Sequence, residues 1–152
     1  MYKPIDLRTG QPRSPHEVLG GVKLLARLVD KGRATITGTL GRYIFFDCPL
    51  DRVFFDAINV SQDQFLSMLK GEYLSAVAYN ANSLTDLREA LESEPEISDD
   101  TFMAHAQASD VDNAAVRWLC DDLRTPNSVL SAINARVDSL PREAFTDWAP
   151  GD

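Results

Sequence analysis

Apolar residues recur at three- and four-residue spacing along much of the chain, the signature of helices that each bury one face. Val18, Val22, Leu25 and Val29, with Leu24 and Leu28 beside them, make the first such face. Leu50, Phe54, Ala57 and Ile58 make the second. Further faces follow at Leu84, Leu87 and Leu91, at Val116, Leu119, Cys120 and Leu123, and at Val129, Leu130, Ile133 and Val137. Shorter apolar sets lie at Phe102, Met103 and Ala106, and at Phe145 and Trp148.

Capping signals set the predicted boundaries. Ser14-Pro15-His16-Glu17 has a hydroxyl for a first-turn amide, a proline at the first helical position and a carboxylate that reaches back. It predicts a helix from Pro15 to at least Lys31, ended by Gly32 or running on toward Gly38. Gly20-Gly21 then falls inside that helix, where close approach of another backbone explains the pair better than a ligand does. Cys48-Pro49-Leu50-Asp51 is the second start, with Asp51 favoured by the helix dipole. Ser61 and Gln64 form a capping box, with Val60 and Phe65 as the staple, for a helix ending near Gly71. Ser83, Ser98, Asp110, Thr125-Pro126 and Pro141 mark later starts, and Glu94-Pro95-Glu96 a break. Residues 1–13, with Pro4, Gly10 and Pro12, read as an extended arm whose Ile5 and Leu7 lie across the body. Residues 34–47 are rich in β-branched and aromatic side chains around Leu40-Gly41 and read alone as a short hairpin. The predicted fold is all-α: residues 1–152 form one domain of antiparallel helices, with a short irregular or hairpin segment near 34–47.

Charge adds an asymmetry. Residues 1–50 hold eight Lys/Arg against four Asp/Glu, while residues 51–152 hold seven against nineteen, for a net −8 overall. Lys23, Arg27, Asp30 and Lys31 share one side of the first predicted helix. In one reading this stripe is solvated, tied by an Arg27–Asp30 pair, and offsets the acidic remainder. In the other it is an anion site that Arg13 and Arg33 join, with Tyr43 and Asp51 nearby. The candidate ligand-binding set is therefore Arg13, Lys23, Arg27, Asp30, Lys31, Arg33, Tyr43 and Asp51.

Other chemistry is thinly represented. Cys48 stands where a helix N-terminus activates a thiol, but Asp47 and Asp51 flank it and oppose a thiolate. It reads as structural, Cys120 as core, and both as reduced thiols. His16 reads as exposed, and Trp118 and Trp148 as packing anchors. The sequence contains no HExxH, EF-hand loop, phosphate-binding GxxxxGK[ST] or GxSxG elbow. We therefore expect no cofactor and no metal, and no reaction is assigned. A chain of 152 residues can bury about two-thirds of its unfolded surface. No apolar run has the length of a membrane span, and MYKPIDLRTG carries no apolar signal core. We expect a cytoplasmic protein. Its acidity disfavours nonspecific nucleic-acid binding.

The ordered strings PRSPHEVLGG, LARLVDKGRA, GTLGRYIF and CPLD resemble those of a bacterial family of small proteins grouped as a domain of unknown function. The resemblance covers residues 6–70 closely and resumes around 110–135, where Asp112 to Trp118 looks like the family's helix ending in Ala-Trp. It implies a mostly helical fold and favours a helix that continues past Ala34 before an irregular return. It implies no reaction. The chain departs from the family at Gly32, where Ala is usual, and in a longer segment at about 72–110. The function expected is a non-enzymatic binding or interaction module with a protein partner. The alternative is an enzyme or sensor for a small anionic ligand held by the basic stripe.

Overall fold

The computed structural model describes residues 5–78 and 108–140, with side chains described for 5–70 and 111–140. The predicted segments around Ser83–Leu91, Ser98–Ala106 and Pro141–Trp148 lie outside the described residues. The described residues form α1 (Leu25–Thr37), α2 (Pro49–Ile58), α3 (Gln62–Ala78), α4 (Ala108–Arg117) and α5 (Asn127–Ser139), joined by turns and loops. One π-helical turn, Trp118–Asp122, extends α4. The described residues contain no strand, only an isolated bridge between Leu19 and Val22.

The first helix starts at Leu25, not at Pro15. The Ser14 signature closes a single turn instead: its hydroxyl accepts the His16 N–H at 3.1 Å, and its carbonyl accepts the Glu17 N–H at 3.1 Å. A helix cannot follow, because Gly20 and Gly21 have φ of 64° and 81° and Leu24 has φ of 76°. Leu19 and Val22 pair across the two glycines. Left-handed φ at Leu24 costs on the order of 1–2 kcal/mol. The complete burial of its side chain and an N–H donated to the Pro15 carbonyl at 3.1 Å offset that cost. Val18, predicted as core, is consequently 57% exposed. The approach at Gly20 is that of a side chain in a turn and not of another backbone: a Cβ there would sit 2.9 Å from the Val116 side chain. Asn134 of α5 holds the same turn, accepting the Lys23 N–H at 2.7 Å and donating to the Gly21 carbonyl at 3.1 Å.

Helix α1 passes through Gly32 and ends at Gly38, whose φ of 71° makes it the left-handed cap. At Gly32 a Cβ would stand 2.8 Å from Leu69 and 3.1 Å from Phe65, so the missing methyl lets α3 cross close to α1. The return from Thr39 to Cys48 is irregular rather than a hairpin. The N-terminal arm lies along it: the Leu7 N–H donates to the Thr39 carbonyl at 2.9 Å, and Leu7 is buried. Gly41 has φ of 66°, and a Cβ there would be 2.9 Å from the Arg8 Cα, so the arm's path requires glycine at this position.

Cys48 precedes α2 in an extended conformation, and Pro49 opens the helix. The buried face of α2 is Leu50, Asp51, Phe54 and Phe55; Ala57, predicted as buried, is exposed because the face is turned toward Asp51 and Phe55 and away from it. The α3 box forms in both directions: the Gln64 N–H donates to Ser61 Oγ at 3.1 Å, and the Ser61 N–H to Gln64 Oε1 at 2.9 Å. Gly71 does not end α3, which runs to Ala78. Asp110 lies inside α4 rather than capping it.

Aromatic rings connect these elements. Phe46 and Phe55 lie 4.7 Å apart, Phe55 and Phe65 5.1 Å, and Phe65 and Trp118 5.7 Å. Phe55, Phe65 and Trp118 belong to one apolar core that also takes in Leu28, Leu69, Leu119, Ile133 and Val137, with Phe46 packed half-buried against it. The π turn widens the helix at its end. Trp118 and Leu119 stay buried, whereas Cys120 is half-buried rather than core and Leu123 is 39% exposed.

Candidate functional site

Helix α1 is charged where a buried helix is ordinarily apolar. Arg27, Asp30, Lys31 and Arg33 are all buried, so the stripe is not a solvated face. Such burial is stable only when the charges meet partners. The wall around α1 supplies them.

The partner of Asp30 is Arg13, from the loop before α1, and not Arg27. Arg13 donates its backbone N–H to Asp30 at 2.8 Å and its guanidinium to both Asp30 oxygens at 3.1 Å. The same guanidinium reaches both oxygens of Asp112 on α4, at 2.9 Å and 2.8 Å. It also donates to the Ala26 carbonyl at 3.2 Å. One arginine thus joins the N-terminal loop, α1 and α4. Burial works against the Arg13 charge, but the hydrogen bonds to Asp112 and Asp30 outweigh it and hold the guanidinium above its ordinary pKa. Asp30 moves the other way from its partner's benefit: burial pushes its carboxyl up, and the hydrogen bonds from Arg13 only partly pull it back. The asymmetry follows from exposure, since the Arg13 side chain keeps 29% of its surface and Asp30 only 8%.

Arg27 donates to the Arg13 carbonyl at 3.1 Å and lies over the Tyr43 ring, 5.9 Å from its centre. The Arg33 guanidinium stands 3.9 Å from Asp30. Burial lowers Arg33 to about 10, partly opposed by Asp112. Arg13, Arg27, Asp30, Arg33 and Tyr43 therefore form one cluster, which Asp112 completes. Asp112 was not among the predicted residues; its signals were membership of the acidic second part, far from Arg13 in sequence, and its place at the start of the stretch where the family resemblance resumes.

The other three predicted residues stand apart from this cluster. Lys31 faces α2, where its ammonium meets both Asp51 oxygens at 2.9 Å and 2.8 Å with both side chains fully buried. The Phe46 N–H donates to the same carboxylate at 2.9 Å. Asp51 thus serves as half of a buried ion pair, beyond the dipole role its position implies. Lys23 turns to α5 and pairs with Asp138, where His16 stands 3.7 Å away. The Lys23 hydrogen bond holds the Asp138 carboxyl below its ordinary value.

Clefts open elsewhere among the described residues. One, of about 490 Å³, is lined by Met68, Trp118 and Leu123 together with Asp63 and Gln64. Another, of about 430 Å³, lies between α2 and α5. None of the eight predicted residues lines either cleft. Among the described residues no group of three or more His, Cys, Asp or Glu side chains has the arrangement to hold a metal ion. No described helix is long and apolar enough to cross a membrane. Cys48 is buried, and His16 is exposed.

No curated protein matches this chain. Residues 9–73, which include the loop of Arg13 and helices α1 and α2, match the family described as Domain of unknown function (DUF5069).

Proposed function

We propose that this protein is a non-enzymatic binding module, of bacterial origin and cytoplasmic, in which the charges of α1 form the frame and the surface clefts do the binding. One observation carries the reading: the basic side chains of residues 13–33 are turned onto groups of the chain itself. Arg13 takes Asp30 and Asp112, Lys23 takes Asp138, and Lys31 takes Asp51. Charges used in this way hold helices in place, and the concave surfaces are what remain for a ligand.

The second reading is a small anion held beside Arg27, Arg33 and Tyr43. Burial lowers Arg33 to about 10, and an added negative charge would oppose that effect. A melting screen across anionic, cationic and neutral small molecules separates the two, because binding to the native state raises the midpoint. The module reading expects a dose-dependent rise, recovery of the compound unchanged, and a rise that persists in a folded Arg27→Gln variant. A chemical product in the mixture would make the protein an enzyme. Loss of the rise in Arg27→Gln, with helical signal retained, would favour the anion cluster.

A further inference from the structure

We propose that the cleft between α2 and α5 binds a small organic monocarboxylate with a short apolar body. This rests on the binding-module reading and names its ligand class.

The hollow exists because both walls carry alanine where a larger side chain would fill it: Ala57 on α2 and Ala132 on α5, both exposed. Beneath them the lining is apolar, with Ile133 buried and Val53 half-buried. Its volume of about 430 Å³ lies within the range of small-molecule sites, roughly 300–1,000 Å³. An alkyl or aryl body would displace water from this floor.

The rim sets the sign of the ligand. Arg52 comes from α2 and Arg136 from the last turns of α5. Arg52 is already positioned: its guanidinium lies 4.7 Å over the Phe46 ring and pairs with Asp56. Less side-chain freedom therefore remains to be lost when a ligand arrives. Arg136 has no carboxylate partner among the described residues. An exposed arginine alone is ordinary. Here each wall of one cleft carries an arginine, beside the apolar Val53 and Ile133. Among the described lining residues, Arg52 and Arg136 against Asp56 leave a local charge of +1, in a chain whose net charge is −8. One carboxylate matches that excess and the fork geometry of a guanidinium. A dianion would be opposed by Asp56, and an ammonium by both arginines.

The test is an amide-resolved NMR titration of the full chain at fixed ionic strength with hexanoate, hexanamide and hexylammonium. Hexanoate should give saturable shifts along residues 52–57 and 132–136, with hexanamide weaker by about threefold or more, the scale of one exposed ion pair. Arg136→Gln should weaken hexanoate by a similar factor and leave hexanamide unchanged. Ala132→Leu should abolish both while the thermal midpoint holds or rises. Equal affinity for acid and amide, insensitivity to Arg136→Gln, or no saturable shift would overturn the assignment. If the broader melting screen still finds a ligand in that event, the module reading survives and this cleft does not.

Discussion

Lys31 and Asp51 are fully buried against each other, and their energetics are those of a pair rather than of two residues. Each ion lost several kcal/mol of hydration on folding. Removing one partner leaves the other charged in the core. Asp51→Leu or Lys31→Met alone should cost about 3–5 kcal/mol, and the double replacement should recover most of it. Urea denaturation of the three variants measures this; small, additive losses would mean that the pair carries no energy. Asp30 gives the pH counterpart. Its carboxyl is raised above 3.8, chiefly by burial. The native state therefore holds that proton more tightly than the unfolded chain does. The Asp30 contribution to stability falls as pH rises from the ordinary carboxylate value through the raised one. Carboxyl NMR should place Asp30 above 3.8 in the native protein and higher still in Arg13→Gln, where the opposing hydrogen bonds are lost. A native value below 3.8 would contradict the burial argument. The spacing rule put Arg27 opposite Asp30 because it sees only neighbours on one helix. Arg13, seventeen residues away, takes the carboxylate instead.

At the scale of elements, two similar signatures had different outcomes for a local reason. Ser61 and Gln64 form a reciprocal box because the backbone after them is free to stay helical. Ser14 closes its turn, but Gly20, Gly21 and Leu24 at positive φ stop any helix within ten residues. A capping box reports a turn; the residues after it decide whether a helix follows. Ser61→Ala should accordingly cost about 1 kcal/mol. Ser14→Ala, at an exposed turn, should cost under about 0.5 kcal/mol. Midpoints in denaturant compare the two directly, and a larger loss at Ser14 would restore a long first helix. The helical class and the α2 and α3 starts were legible from side-chain chemistry close in sequence, whereas the residues alone left the end of α1 open between Gly32 and Gly38. The π turn after Arg117 was not legible, and it is what moves Cys120 and Leu123 out of the predicted core.

At the scale of the molecule, the uneven charge along the chain becomes a set of joints. Arg13–Asp112, Lys31–Asp51 and Lys23–Asp138 each link the basic opening of the chain to its acidic remainder. Sequence showed the imbalance but could not say which acid meets which base, because these contacts depend on tertiary packing. The central claim is that these charges are a frame and not a site. Arg13 and Asp112, partly buried and doubly hydrogen-bonded across 99 positions, test it most directly. A double-mutant cycle with Arg13→Gln and Asp112→Asn should give a coupling of about 1.5–3 kcal/mol, the range for hydrogen bonds to charged groups. A coupling near zero, with both single variants as stable as the parent, would contradict it.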